Sequence, residues 1–74
     1  MTGRPVEKHY DEVFHWIGGF IQENGYAPSV REIMRECNLH STSYVSYILE
    51  RLEEDGRISR AGNLPRTIVI REAL

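Results

Sequence analysis

Apolar residues recur at helical spacing in three separate blocks of this chain, and a basic segment rich in β-branched residues follows them. Over residues 5–24, Tyr10, Val13, Phe14, Ile17 and Ile21 share one face of a helix, and Trp16 and Phe20 widen that face. Asn24-Gly25 stops the helix, with Gly25 suited to the left-handed cap position. Gly18 and Gly19 lie inside it, each at a cost of about 1 kcal/mol relative to alanine. Either the helix tolerates that weakness or another element approaches closely there.

Pro28 fixes the chain before a second, shorter helix, and Ser29 followed by Glu32 has the spacing of a capping box. Val30, Ile33 and Cys37 form its inner stripe. Asn38 suits a left-handed terminator, Leu39 points inward, and Ser41 caps the next helix. Two helices joined by about four residues are a helix-turn-helix signature. The third helix buries Val45, Ile48, Leu49 and Leu52, and Gly56 ends it. Residues 57–60 and 67–70 predict two strands, with the turn-forming "AGNLP" between them. The predicted fold class is mainly α with a small antiparallel β-hairpin: a three-helix winged helix-turn-helix, one domain over residues 1–74.

Composition sets limits on this. A chain of 74 residues buries only about 60% of its unfolded surface, so its core must be economical. With 41% hydrophobic and 27% charged residues it has the balance of a globular protein rather than a disordered one. No apolar run approaches the roughly 20 residues needed to cross a bilayer, and "MTGRPVEKHY" has no apolar signal region. The single cysteine, Cys37, cannot form an internal disulfide. The expectation is a cytoplasmic protein, without membrane association or cofactor, held together by its core alone.

A net charge of −2 and a pI of 5.9 count against a generic nucleic-acid binder, whose pI usually exceeds about 9. The distribution counts for more. From Arg57 to Arg71 there are four arginines and no acid. Catalysis finds little support: there is no phosphate-binding glycine loop, no HExxH and no nucleophile elbow. Cys37 lies on an apolar stripe, and the three histidines lack metal-ligand spacing.

Four ordered blocks carry a family resemblance: "GYAPSVREI" (25–33), "STSYV" (41–45), "LERLEEDGRI" (49–58) and "LPRTI" (64–68). They resemble the N-terminal DNA-binding domain of the LexA repressor, the bacterial SOS-response regulator, over roughly residues 10–70. The resemblance implies a third helix in the major groove and a hairpin against backbone or minor groove. It also implies that Ser41, Ser43, Tyr44, Ser46 and Tyr47 occupy base-reading positions. Three departures qualify it. The LexA family carries a C-terminal self-cleaving peptidase domain that supplies most dimerisation, for which a chain ending at Leu74 has no room. That suggests an excised domain or a free-standing relative of the kind expected in phages and mobile elements. The family often has Lys at Asp55, and small or polar residues at the two tyrosines.

On a helical projection Ser43, Tyr47, Glu50 and Glu54 lie opposite the apolar stripe, flanked by Tyr44 and Arg51 on one edge and Ser46 on the other. Recognition helices use their N-terminal residues on base edges, so the hydroxyls and tyrosines sit at the reading end. The plainer alternative is that Ser41 only caps and the tyrosines only pack. The acids oppose the helix dipole, so stability does not explain them; a solvated exit from the groove does. In the hairpin, Arg60, Asn63 and Arg66 are candidates for phosphate or the minor groove. Ser29, Arg31 and His40 are further candidates, although Glu32 and Glu36 beside Arg31 and Arg35 also fit ordinary surface pairs. The expected partner is double-stranded DNA, bound as a homodimer on inverted half-sites or with the help of a protein partner. The alternative is an acidic winged module that docks on a protein such as a polymerase, repressor or defence factor.

Overall fold

Capping chemistry sets where each helix begins and ends. The computed structural model describes residues 8–62 and 64–71. Helix α1 spans Tyr10–Asn24, α2 Val30–Glu36 and α3 Thr42–Glu54, followed by the strands β1, Ile58–Ser59, and β2, Val69–Ile70. The first helix starts later than its predicted limit at residue 5. Lys8 and His9 form a turn, and the His9 ring bonds forward to Glu12 at 2.8 Å, at the point where the apolar stripe begins. Residues 5–7 lie outside the described residues.

Gly25 ends α1 at φ 80°, its N–H donating to the Ile21 carbonyl at 2.8 Å. The predicted capping box opens α2: the Glu32 N–H donates to Ser29 Oγ at 3.1 Å, and the Ser29 N–H donates to Glu32 Oε1 at 2.9 Å. Asn38, at φ 57°, closes α2 in a Schellman pattern, with Leu39 N–H reaching the Met34 carbonyl and Asn38 N–H that of Arg35. Gly56, at φ 76°, does the same for α3, with Arg57 N–H on Leu52 and Gly56 N–H on Glu53.

The two strands pair antiparallel, Ile58 with Ile70 and Ser59 with Val69, so the winged helix-turn-helix is the observed architecture. Both are shorter than predicted. Arg66 adopts φ 58°, and the Ala61 N–H donates to the Thr67 hydroxyl at 3.1 Å instead of to a ladder carbonyl. That hydroxyl in turn donates to the Leu64 carbonyl at 2.9 Å, so a side chain closes the hairpin end.

The core joins all five elements. Val13, Phe14 and Ile17 of α1, Ile33 of α2, and Val45, Ile48, Leu49 and Leu52 of α3 are buried together with Ile58 and Ile68 of the wing. Full burial of a large aliphatic side chain contributes about 1.5–3 kcal/mol. Four such residues on α3 therefore fix its rotation, and with it the face left exposed. A Cβ added at Gly19 would meet nothing within 4 Å, so no neighbouring element requires that glycine. Gly19→Ala should accordingly stabilise the fold by about 0.5–1 kcal/mol, measured by chemical denaturation. A loss of stability would mean the glycine has a role in backbone geometry.

Candidate nucleic-acid interface

Burial of the apolar stripe leaves Ser43, Tyr47, Glu50 and Glu54 exposed on α3, with Tyr44, Ser46 and Arg51 half-buried at its edges. The helical projection is reproduced. Ser41 is the N-cap and accepts from the Tyr44 N–H at 3.2 Å, so its hydroxyl has a capping role. Ser43 follows at the open first turn. The Tyr44 ring lies near-parallel to that of Tyr47, with centroids 6.4 Å apart, and meets His9 edge-on at 5.9 Å. Both packing and exposure thus apply to Tyr44. His40 is exposed in the turn that precedes α3.

A cleft of about 330 Å³ separates α3 and the start of α2 from the wing, lined by Ser29, Arg31, Ser46, Arg60, Leu64 and Arg66 among others. It brings three candidate arginines together, but in different states. The guanidinium of Arg60 donates through Nε and Nη2 to Glu53 Oε1, at 3.1 and 2.9 Å. Arg66 donates to both Glu32 oxygens at 3.0 and 3.1 Å and to the Ala27 carbonyl at 3.1 Å, and its guanidinium lies 5.1 Å from the Tyr26 ring centroid. Both wing arginines, expected from sequence to face phosphate, have acid partners inside the fold. Arg31 is exposed and has no ion-pair partner among the described residues. The Ser29 hydroxyl takes part in the capping box. Asn63, the candidate at the turn tip, lies outside the described residues.

Two other acids at this end, Glu53 and Asp55, have structural partners, whereas Glu50 and Glu54 remain solvent-exposed. Glu53 holds Arg60, and Asp55 accepts from the Tyr10 hydroxyl. Burial, then that bond to Asp55, raises the Tyr10 pKa. Arg57 stacks over Phe14 at 4.0 Å and bonds Asp11 at 3.3 Å, tying the wing's first strand to α1. The Cys37 thiol is pushed up to about 11, mainly by burial and then by Glu12 and Glu36, which keeps it protonated and inert near neutrality.

The arrangement is a cap-initiated helix with an open hydroxyl and aromatic face, beside a wing fixed by ion pairs. Residues 4–67 match the LexA DNA binding domain. The chain belongs to the LexA DNA-binding domain family. Among LexA-type relatives, the LexA repressor of Clostridium botulinum is 47% identical over 70 residues, 95% of this chain and 34% of that protein. The LexA repressor of Herpetosiphon aurantiacus is 43% identical over 68 residues, 92% of this chain and 31% of the relative. The LexA repressor of Staphylococcus aureus is 43% identical over 67 residues, covering 90% and 32%. The chain thus spans about a third of the length of the curated relatives it matches.

Sequence reasoning did not anticipate Glu32, Glu53 and Arg51 as partners of the candidate site. Tyr47 and Arg51 have i, i+4 spacing, which signals their pairing. Glu32 and Arg66 are 34 positions apart, and no local pattern encodes that contact.

The bond to Arg66, followed by that from the Ser29 backbone, lowers the Glu32 pKa below its ordinary value of 4.5. A lowered folded-state pKa gives stability that is full above the unfolded value and is lost as pH falls through the folded one. Glu32→Gln should therefore lower the melting temperature near neutrality. The gap from the unaltered chain should close as pH drops below about 4.5. A gap independent of pH would mean that the carboxylate charge is not what fastens the wing.

Proposed function

We propose that this chain is the sequence-specific, double-stranded DNA-binding part of a LexA-like transcriptional repressor or regulator. It inserts α3 into the major groove and sets the wing beside the backbone. Its contribution is binding rather than catalysis. The observation that carries this is the open face of α3, where Ser43 and Tyr47 are exposed at and near the N-terminal turn and the apolar side is fully buried. N-terminal residues of a recognition helix are those that reach base edges. The position of the acids supports the same orientation: Glu53 and Asp55 are engaged by the wing and by α1, at the end of α3 remote from Ser43.

With Arg60 and Arg66 paired to acids, Arg31 is the cation in the cleft best placed for phosphate. Enrichment of random duplexes at low salt should return a preferred site, and Ser43→Ala should change the preference within it. Arg31→Ala should weaken all duplexes alike and reduce the slope of log affinity against log salt by about 1. Failure of any duplex to enrich would favour a protein-docking module instead.

One winged domain neutralises few phosphates and buries modest DNA surface, so two copies on inverted half-sites are needed for tight binding. Sedimentation with a selected duplex should show two chains per site. A monomer at every concentration, with and without DNA, would remove the dimer.

A further inference from the structure

Arg51 stands beside the reading face without being one of its anticipated contacts. Its Nη1 donates to the Tyr47 hydroxyl at 2.8 Å, and its guanidinium carbon lies 5.7 Å from the Tyr47 ring centroid. The Arg51 side chain is only 18% exposed, and its Nε is buried without a hydrogen-bond partner. Its ion pair with Glu54 is long, 4.0 Å from that nitrogen and beyond hydrogen-bond reach. The directed bonding of this guanidinium is thus concentrated on Tyr47. The Tyr44 ring, one turn earlier, lies near-parallel to that of Tyr47, with centroids 6.4 Å apart. Tyr44 is itself abutted by His9. The phenol is thus bonded by an arginine one turn after it and flanked by an aromatic ring one turn before it.

This arrangement has a chemical consequence. A phenol both donates and accepts, whereas a guanidinium only donates. The hydroxyl accepts from Arg51, so its own proton points away from Arg51 and, Tyr47 being exposed, is available to a partner outside the fold. We infer that Arg51 is a positioning residue that makes Tyr47 a directed hydrogen-bond donor to an acceptor on a base edge. The inference rests on the proposed placement of α3 in the major groove. The acceptors exposed there are guanine O6 and N7, adenine N7 and thymine O4. The amino groups of cytosine and adenine are donors, and a hydroxyl that already accepts from Arg51 accepts from them less readily. Arg51 itself need not touch DNA.

The test compares the unaltered chain with Tyr47→Phe, Arg51→Met and the double variant, each by duplex selection and by titration across salt concentrations. Tyr47→Phe should weaken the preferred duplex roughly threefold to tenfold and flatten preference at one base pair. Arg51→Met should flatten the same base pair, leave the salt slope unchanged, and add nothing in the Tyr47→Phe background. A purely structural role for Arg51 would not confine the effect to that base pair. If Arg51→Met does not fold, as judged by circular dichroism, Arg51→Leu, which likewise has no donor for the phenol, carries the same expectations.

Multiplying losses in the double variant would overturn the inference, as would an Arg51→Met salt slope reduced by about 1 with the site preference intact. The latter would make Arg51 a phosphate ligand. Equal weakening of every duplex by Tyr47→Phe would assign the hydroxyl to phosphate and overturn the base-edge claim. If the unaltered chain enriches no duplex, the major-groove placement falls and the inference falls with it. An enriched site with any of the other contrary results removes the inference alone.

Discussion

The Glu32 carboxylate holds the helix-turn-helix and the wing in one frame. One of its oxygens accepts both from the Ser29 N–H, which starts α2, and from Arg66 Nη1; the other accepts from Arg66 Nη2. The arginine also reaches the Ala27 carbonyl, in the segment that leads into α2. A planar guanidinium matches a carboxylate as a two-pronged fork, so the contact fixes direction as well as distance. Two-residue strands supply few ladder bonds of their own. The orientation of the wing therefore depends on side-chain fasteners: Arg66 on Glu32, Arg60 on Glu53, and Thr67 across the hairpin end. Ile58 and Ile68 then complete the core from the wing side.

The same fasteners give several acids a structural role in a chain placed in a DNA-binding family. Glu32 and Glu53 offset wing arginines, while Asp55 and Asp11 engage Tyr10 and Arg57. Net charge is a property of the whole chain, whereas docking responds to the local field on one face. Positive charge at the cleft thus comes less from counting wing arginines than from Arg31, which the fold leaves without a counterion among the described residues. The exposed hydroxyls and phenols of α3 are then available for discrimination, which depends on hydrogen-bond direction more than on charge.

The helices and their boundaries were legible in the sequence because their determinants are local. A capping box spans three residues, a left-handed terminator is one residue, and an apolar stripe repeats every turn. Ser29, Asn38, Ser41 and Gly56 all perform the roles that their positions suggested. The exposed face of α3 followed from the same periodicity. The first helix and the strands were read too long, because a turn at His9 and a hydroxyl at Thr67 stand in for regular backbone bonding.

By itself, then, the sequence determined three capped helices, a basic hairpin and the polar composition of one helix face, together with the ordered motifs of its family. Tertiary structure decided which arginines of the cleft are already engaged and which one has no ion-pair partner among the described residues. It also decided that Glu53 and Asp55 serve as fasteners while Glu50 and Glu54 stay exposed to solvent. The reason is range. Propensity, capping and periodicity act over a few residues, whereas an ion pair between positions 32 and 66 exists only once packing has brought two distant segments within 3 Å. The Tyr47–Arg51 pair lies between these cases. Its spacing is written in the helix, but the burial that directs Arg51 onto the phenol is set by the fold.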